Sequence, residues 1–252
     1  MFESASLKID RAKHHVFDIE RQFNAFVDAN PHTFTSKTDP QTGQMLFSVR
    51  FKTALPQEDF GLMLGDAIHN LRTALDHLVW ELIGLDGGTQ DRYTKLPVGQ
   101  DLTSYKASCN GAKTPRADTK QFLTGLEICG DGKRARLYGL HLLDNADKHT
   151  VITPMATVAS VNKLRVMNPD GGLAVEMTNC GGSVGPDGYV NFLSIGPGMS
   201  IELDHDAKAI PDIFFQDVDI FPFEPIIATL IQLIDDVIDV RKAFIGFVER
   251  RA

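Results

Sequence analysis

Between Asp66 and His77 lie two histidines (His69, His77), one arginine (Arg72), one asparagine (Asn70), one threonine (Thr73) and two aspartates (Asp66, Asp76). A plain solvated helix face draws more on Glu, Lys and Gln, the strong helix formers. A second set, His141, Asp144, Asn145, Lys148 and His149, recurs at three- and four-residue spacings further along. Imidazole changes charge near neutral pH and serves as general acid or base. Arginine stays charged and grips two oxyanion oxygens at once. These types therefore suit acid–base chemistry on an anionic group. They also admit carboxylate–histidine metal binding across a helical bundle. Within these two stretches there is no HExxH or ExxH spacing, and Asp66-x-x-His69 is the nearest analogue. Taken singly, His77, His141 and His149 also read as structural, Arg72 and Asp76 as an i,i+4 ion pair, and Trp80 as a packing residue.

Helices must hold both sets. Leu64, Ala67, Ile68, Leu71, Ala74, Leu75, Leu78 and Leu82 recur every three to four residues, predicting a helix over 57–84 with Pro56, Glu58 and Asp59 at its start. Leu137, Leu140, Leu143 and Ala146 predict another over 133–150. Ahead of these, the seam Ala5, Ile9, Ala12, Val16, Ile19, Phe23, Phe26 predicts a helix over 2–29, stopped at Asn30-Pro31. A β-hairpin is expected over 32–53 around Asp39-Pro40-Gln41-Thr42-Gly43. Residues 85–117 read as a long loop, and 118–129 as a short helix capped by Asp118. Alternating apolar residues broken by Gly and Pro predict four to six antiparallel strands over 151–223. An amphipathic helix closes the chain to Arg250, with Ile227, Leu230, Ile231, Ile234, Val237 and Phe244 in its core. Helices at both ends argue for one domain of α+β class. It is an up-and-down helical bundle (1–150 and 224–252) with the hairpin after its first helix and an inserted antiparallel sheet at 151–223.

Composition narrows the classes. The 43% apolar and 23% charged content is that of an ordinary globular chain, and no run reaches the length of a membrane span. The start of the chain lacks the apolar core of a secretory signal, and three cysteines at unrelated spacings read as reduced thiols, so a cytoplasmic protein is expected. A net charge of −8 argues against non-specific coating of nucleic acid. Residues 92–148 go the other way, with ten Lys/Arg against six Asp/Glu, including Arg134 and Arg136. That segment reads equally as an anion-binding surface or a lysine-dotted loop. P-loop, GxGxxG and CxxC patterns are absent, which removes support for the commonest ATPase and dehydrogenase readings.

Arg72-Thr73-Ala74-Leu75-Asp76-His77 resembles the R-x4-6-H motif of the HEPN superfamily (higher eukaryotes and prokaryotes nucleotide-binding). The resemblance covers this hexapeptide and the inferred bundle, and the β insertion lies outside it. Arg136 to His141 and Arg134 to His141 also fit the spacing, although apolar Leu137 follows Arg136. The family's motif commonly falls late in the bundle, whereas Arg72 lies in the second long helix.

The resemblance implies a metal-independent endoribonuclease of toxin or antiviral-defence type, acting on RNA as a homodimer without a cofactor. His77 would be the acid–base, Arg72 the phosphate contact, and Thr73 an orienting residue, assisted by Lys148 or His149. His69, Asn70, Asp76, Asn145, Arg134 and Arg136 would then contribute to binding. Arg72 and His77 stand about 140° apart around a helix, so two chains facing one cleft would supply both. The other expectations are a non-catalytic bundle that binds a partner protein or nucleotide, and the metal-binding bundle.

Overall fold

The computed structural model describes residues 1–29, 32–50, 52–53, 55–152, 154–184, 189–203, 209–215, 220–222 and 224–251. The expected helix stop at Asn30-Pro31 lies outside them. Among the described residues there are six helices and eight strands, and the chain forms two compact units, one of residues 1–21, 57–154 and 215–252, the other of 22–56 and 155–214. The class is mixed α+β with small antiparallel sheets.

The first unit is the helical one. It contains most of α1 (Glu3–Ala29), then α2 (Gln57–Leu85), α3 (Leu102–Asn110), α4 (Ala117–Leu126), α5 (Ala135–Asp147) and α6 (Ile226–Glu249). α2 is its centre, because its whole predicted stripe from Leu64 to Leu82 is buried to 1% exposure or less. Each such leucine withdrawn from water contributes roughly 1.5–3 kcal/mol. α1 runs antiparallel to α2: Phe2 N–H donates to Glu81 (2.7 Å), and Lys8 reaches back to Asn70 (3.2 Å). The Phe2 ring meets Phe244 of α6 edge-on at 5.8 Å. α6 ends beside the end of α2, where Arg251 donates to buried Asp86 (2.5 Å). Ile231, expected in the α6 core, is 47% exposed, and Leu233 and Val240 are buried in its place.

Two helix starts differ from expectation. Residues 85–117 contain α3, opened by a capping box in which Asp101 accepts from Ser104 N–H and the Ser104 side chain accepts from Asp101 N–H. α4 is capped at Arg116 without a side-chain bond, and Asp118 sits in its first turn.

The second unit is two small sheets. β1 (Thr33–Thr38) and β2 (Met45–Arg50) form the expected hairpin, with Thr33 opposite Arg50. It does not stand alone: β2 pairs antiparallel with β6 (Val190–Ile195), which pairs with β5 (Ser183–Val184). The second sheet has β3 (Pro154–Met167) between β4 (Leu173–Cys180) and β7 (Ser200–Glu202), and β8 (Ala209–Phe215) also pairs with β3. Phe47, Leu164, Val166 and Ile195 join the two sheets in one apolar core. The single inserted sheet is thus two sheets, one of which includes the early hairpin.

Candidate functional site

α2 and α5 lie antiparallel and carry polar residues at one spacing. His69, Arg72, Thr73 and Asp76 fall at i, i+3, i+4 and i+7 of α2; His141, Asp144 and Asn145 of α5, with Lys148 at its C-cap, do the same. Residues three and four apart share a helix face, so each helix presents one polar strip. Two glycines let the end of α5 approach. A β-carbon on Gly61 would lie 2.8 Å from the Ile152 carbonyl oxygen, and one on Gly65 would lie 2.5 Å from both Asp147 carboxylate oxygens. Burial pushes the Asp147 carboxyl above its usual range, with Asp144 and Asp66 adding to the effect.

The outer half of the cluster is centred on Asp144, whose side chain is only 3% exposed. It accepts from His69 Nδ1 at 3.0 Å and from Lys148 Nζ at 2.5 Å. An acceptor-only carboxylate on Nδ1 fixes the proton of a neutral ring there and leaves the lone pair on Nε2. The Thr73 hydroxyl is 3.4 Å from that nitrogen. His69 and Lys148 are both more than half exposed, so this half meets solvent.

The inner half is a clamp. Arg72, 4% exposed, donates to Asp76 (2.5 Å), to the Leu96 carbonyl (3.5 Å) and to His141 Nδ1 (3.4 Å). Asp76 also accepts the Leu96 N–H at 2.8 Å. One ion pair therefore holds both backbone groups of a buried residue. Arginine has only donors, so His141 Nδ1 must be the acceptor and the proton of the neutral ring sits on Nε2. The Asn145 amide, 3.0 Å from Nε2, then receives that proton through its oxygen, since the two ends of an amide exchange by a half-turn. Burial lowers the His141 pKa; Arg72 adds to this, Asp144 opposes it, and Lys95 and Lys148 lower it further.

The remaining expected residues lie elsewhere. His77 lines a separate groove with Trp80 and Gln90. Asn70 faces α1, accepting from Lys8 and donating to the Asp66 carbonyl (2.8 Å). His149 is exposed just beyond α5. Arg134 donates to the Leu126 carbonyl at the end of α4 (2.8 Å). Arg136 bonds both Glu224 oxygens (3.0 and 3.3 Å) above the Phe221 ring. The Arg72–His77 motif gives His141 and Asp144 no role; what marks them is the polar spacing repeated between the two helices. Trp80, expected as packing, is 42% exposed.

Half of the basic segment's ten cations are matched by carboxylates, Lys148 by Asp144 among them. Lys113 pairs with Asp91, Lys133 with Glu127 (2.9 Å), and Arg136 with Glu224. Arg116 bonds Asp118 (2.8 Å) and holds its pKa down to about 2. Lys95 and Lys106 stand exposed. Among the described residues no group of three or more His, Cys, Asp or Glu is placed to hold a metal, and no helix is long and apolar enough to cross a membrane. The three cysteines are buried and unbridged. Comparison with known proteins finds no matching family description, curated protein or solved structure.

Proposed function

We propose that this chain is a metal-independent endoribonuclease of the toxin or antiviral-defence type, on a HEPN-like bundle, with His69 rather than His77 as its acid–base group. One observation carries the reading: buried Asp144, exposed His69 and the Thr73 hydroxyl form a line through the two nitrogens of one imidazole. RNA brings its own nucleophile. His69 Nε2 takes the 2′-hydroxyl proton, the 2′-oxygen bonds to phosphorus, and the 5′-oxygen bond breaks to leave a 2′,3′-cyclic phosphate. Asp144 orients the ring, as in other carboxylate–histidine pairs. Lys148 carries positive charge for the phosphorane oxygens, and Lys95 extends that charge. His141 keeps its proton on Nε2, and Arg72 acts from beneath by holding His141 and Leu96. In-line displacement puts the entering and leaving oxygens on opposite sides of phosphorus. One imidazole cannot reach both, so a second chain would supply the acid, which is the reason to propose a homodimer.

The test is RNA of mixed sequence with purified wild type, His69→Ala, Asp144→Asn and Thr73→Ala, with and without EDTA. His69→Ala should abolish cleavage. Asp144→Asn should lower kcat by about a hundredfold or more by releasing the tautomer. EDTA should change nothing, and products should end in cyclic or 3′-phosphate. Full activity in His69→Ala, or cleavage only with added divalent metal, overturns the mechanism. A second reading, a non-catalytic module for a partner protein, is favoured by the burial of Arg72 in its clamp. Absence of cleavage in every condition, with a partner co-purifying, would support it.

A further inference from the structure

Beside the cluster, on the far side of Asp76, lies a groove of about 650 Å³. That volume lies within the roughly 300–1,000 Å³ of small-molecule sites. Its wall is the next stretch of the same α2 strip, His77, Trp80, Glu81 and Gly84, faced by Gln90 and Thr94. Trp80 is the only tryptophan in the chain and is 42% exposed. A large aromatic ring left open in a concavity is a stacking platform, because every nucleobase offers a flat π-face.

The polar groups around it are mostly acceptors. Gln90 Nε2 donates to the Trp80 carbonyl at 2.7 Å, which leaves its amide oxygen for a ligand. Gly84 makes this possible, since a β-carbon there would lie 2.5 Å from Gln90 Nε2. Glu81 uses one oxygen on Phe2 N–H and has a second. His77 Nδ1 is buried without a partner among the described residues, so its Nε2 is the nitrogen that can serve a ligand. Acceptors suit the amino groups of a base. The two carboxylates, Asp76 and Glu81, disfavour a phosphate inside the groove. A phosphate would lie outward instead, where Thr94 leads to Lys95 and the strip leads back to His69.

We infer that this groove binds an amino-bearing nucleobase stacked on Trp80, with the attached phosphate directed toward Lys95 and the His69 cluster. The inference rests on the proposed ribonuclease reading for the role of that base, as the one next to the scissile phosphate, but its test needs no turnover. Fluorescence of the single tryptophan in the full chain is titrated with adenosine monophosphate, ribose 5-phosphate and choline. Adenosine monophosphate should quench saturably, and the other two should not. By calorimetry, Trp80→Ala should weaken adenosine monophosphate binding at least tenfold, whereas Trp80→Phe, which keeps a flat ring, should stay within about threefold of wild type. Both variants should unfold within about 2 °C of wild type, because the side chain is so exposed. Equal quenching by ribose 5-phosphate, quenching by choline alone, or undiminished binding to Trp80→Ala overturns the proposal. Cleavage without base binding removes the subsite alone, and base binding without cleavage removes the nuclease reading alone.

Discussion

Arg72 separates a residue that grips substrate from one that holds the fold. An exposed arginine serving only as a phosphate contact should be replaceable with little loss of stability. The structure instead buries it against Asp76 and the backbone of Leu96, itself 1% exposed. Asp76→Ala leaves a buried guanidinium without its partner and a buried N–H without an acceptor. Breaking such a pair costs roughly 3–5 kcal/mol when fully enclosed. The Asp76 side chain is 31% exposed, so solvent screening brings this to about 2–3 kcal/mol. For a chain of this size that is a fall in Tm of about 5–10 °C. Arg72→Met, which keeps most of the volume, should cost less, about 2 kcal/mol, because the stranded carboxylate reaches water and keeps Leu96 N–H. The double variant should lose less than the sum, with a coupling of about 1–3 kcal/mol. Urea denaturation of wild type, both single variants and the double variant measures all four corners. Removing Arg72 should also raise the His141 pKa, read by NMR titration, since a neighbouring positive charge is gone. Additive effects, with both single variants within about 2 °C of wild type, would refute the clamp and return Arg72 to the surface role its motif suggests.

Glycine substitutions test the close approach of the 147–152 segment to α2. Gly61→Ala should destabilise by about 1–2 kcal/mol, since the Ile152 carbonyl must move and the helix-propensity gain of about 1 kcal/mol only partly offsets it. Gly125→Ala meets nothing within 4 Å in α4 and should raise Tm by about 2 °C in calorimetry. His141 should shape the acid limb of stability. Its folded pKa lies below the ordinary 6.5, so the unfolded chain binds the proton more readily, and stability should fall as pH drops from 6.5 toward the folded value. His141→Gln should make that fall shallower in urea melts, with His15 and His32, also lowered by burial, keeping the rest, and an unchanged slope would count against the burial of a neutral ring. Asp147 has the opposite sign: its raised pKa means folding favours the protonated form, so stability falls as pH rises above 3.8. Asp147→Asn should therefore raise Tm more at pH 7 than at pH 4, read in thermal melts at the two pH values.

Local pattern was enough to determine every helix but α3, and the composition of the polar strips on α2 and α5. The buried stripe of α2 and the spacings 69, 72, 73, 76 and 141, 144, 145, 148 follow from the 3.6-residue period, which depends on neighbours in the chain alone. The β1–β2 hairpin was legible for the same reason, because its turn chemistry is local. α3 was not, since only Leu102, Tyr105 and Cys109 mark its apolar side, although Asp101 and Ser104 carried the capping signal. What only the tertiary structure decided was partnership. The antiparallel register of α2 and α5 places His69 against Asp144 and sinks Arg72 under His141, so the motif pair Arg72 and His77 parts company. β2 finds β6 across more than a hundred residues of chain, and Arg136 finds Glu224 from another helix's approach. Such contacts are set by shape and burial between distant segments, where a period along one segment carries no information about the residue opposite.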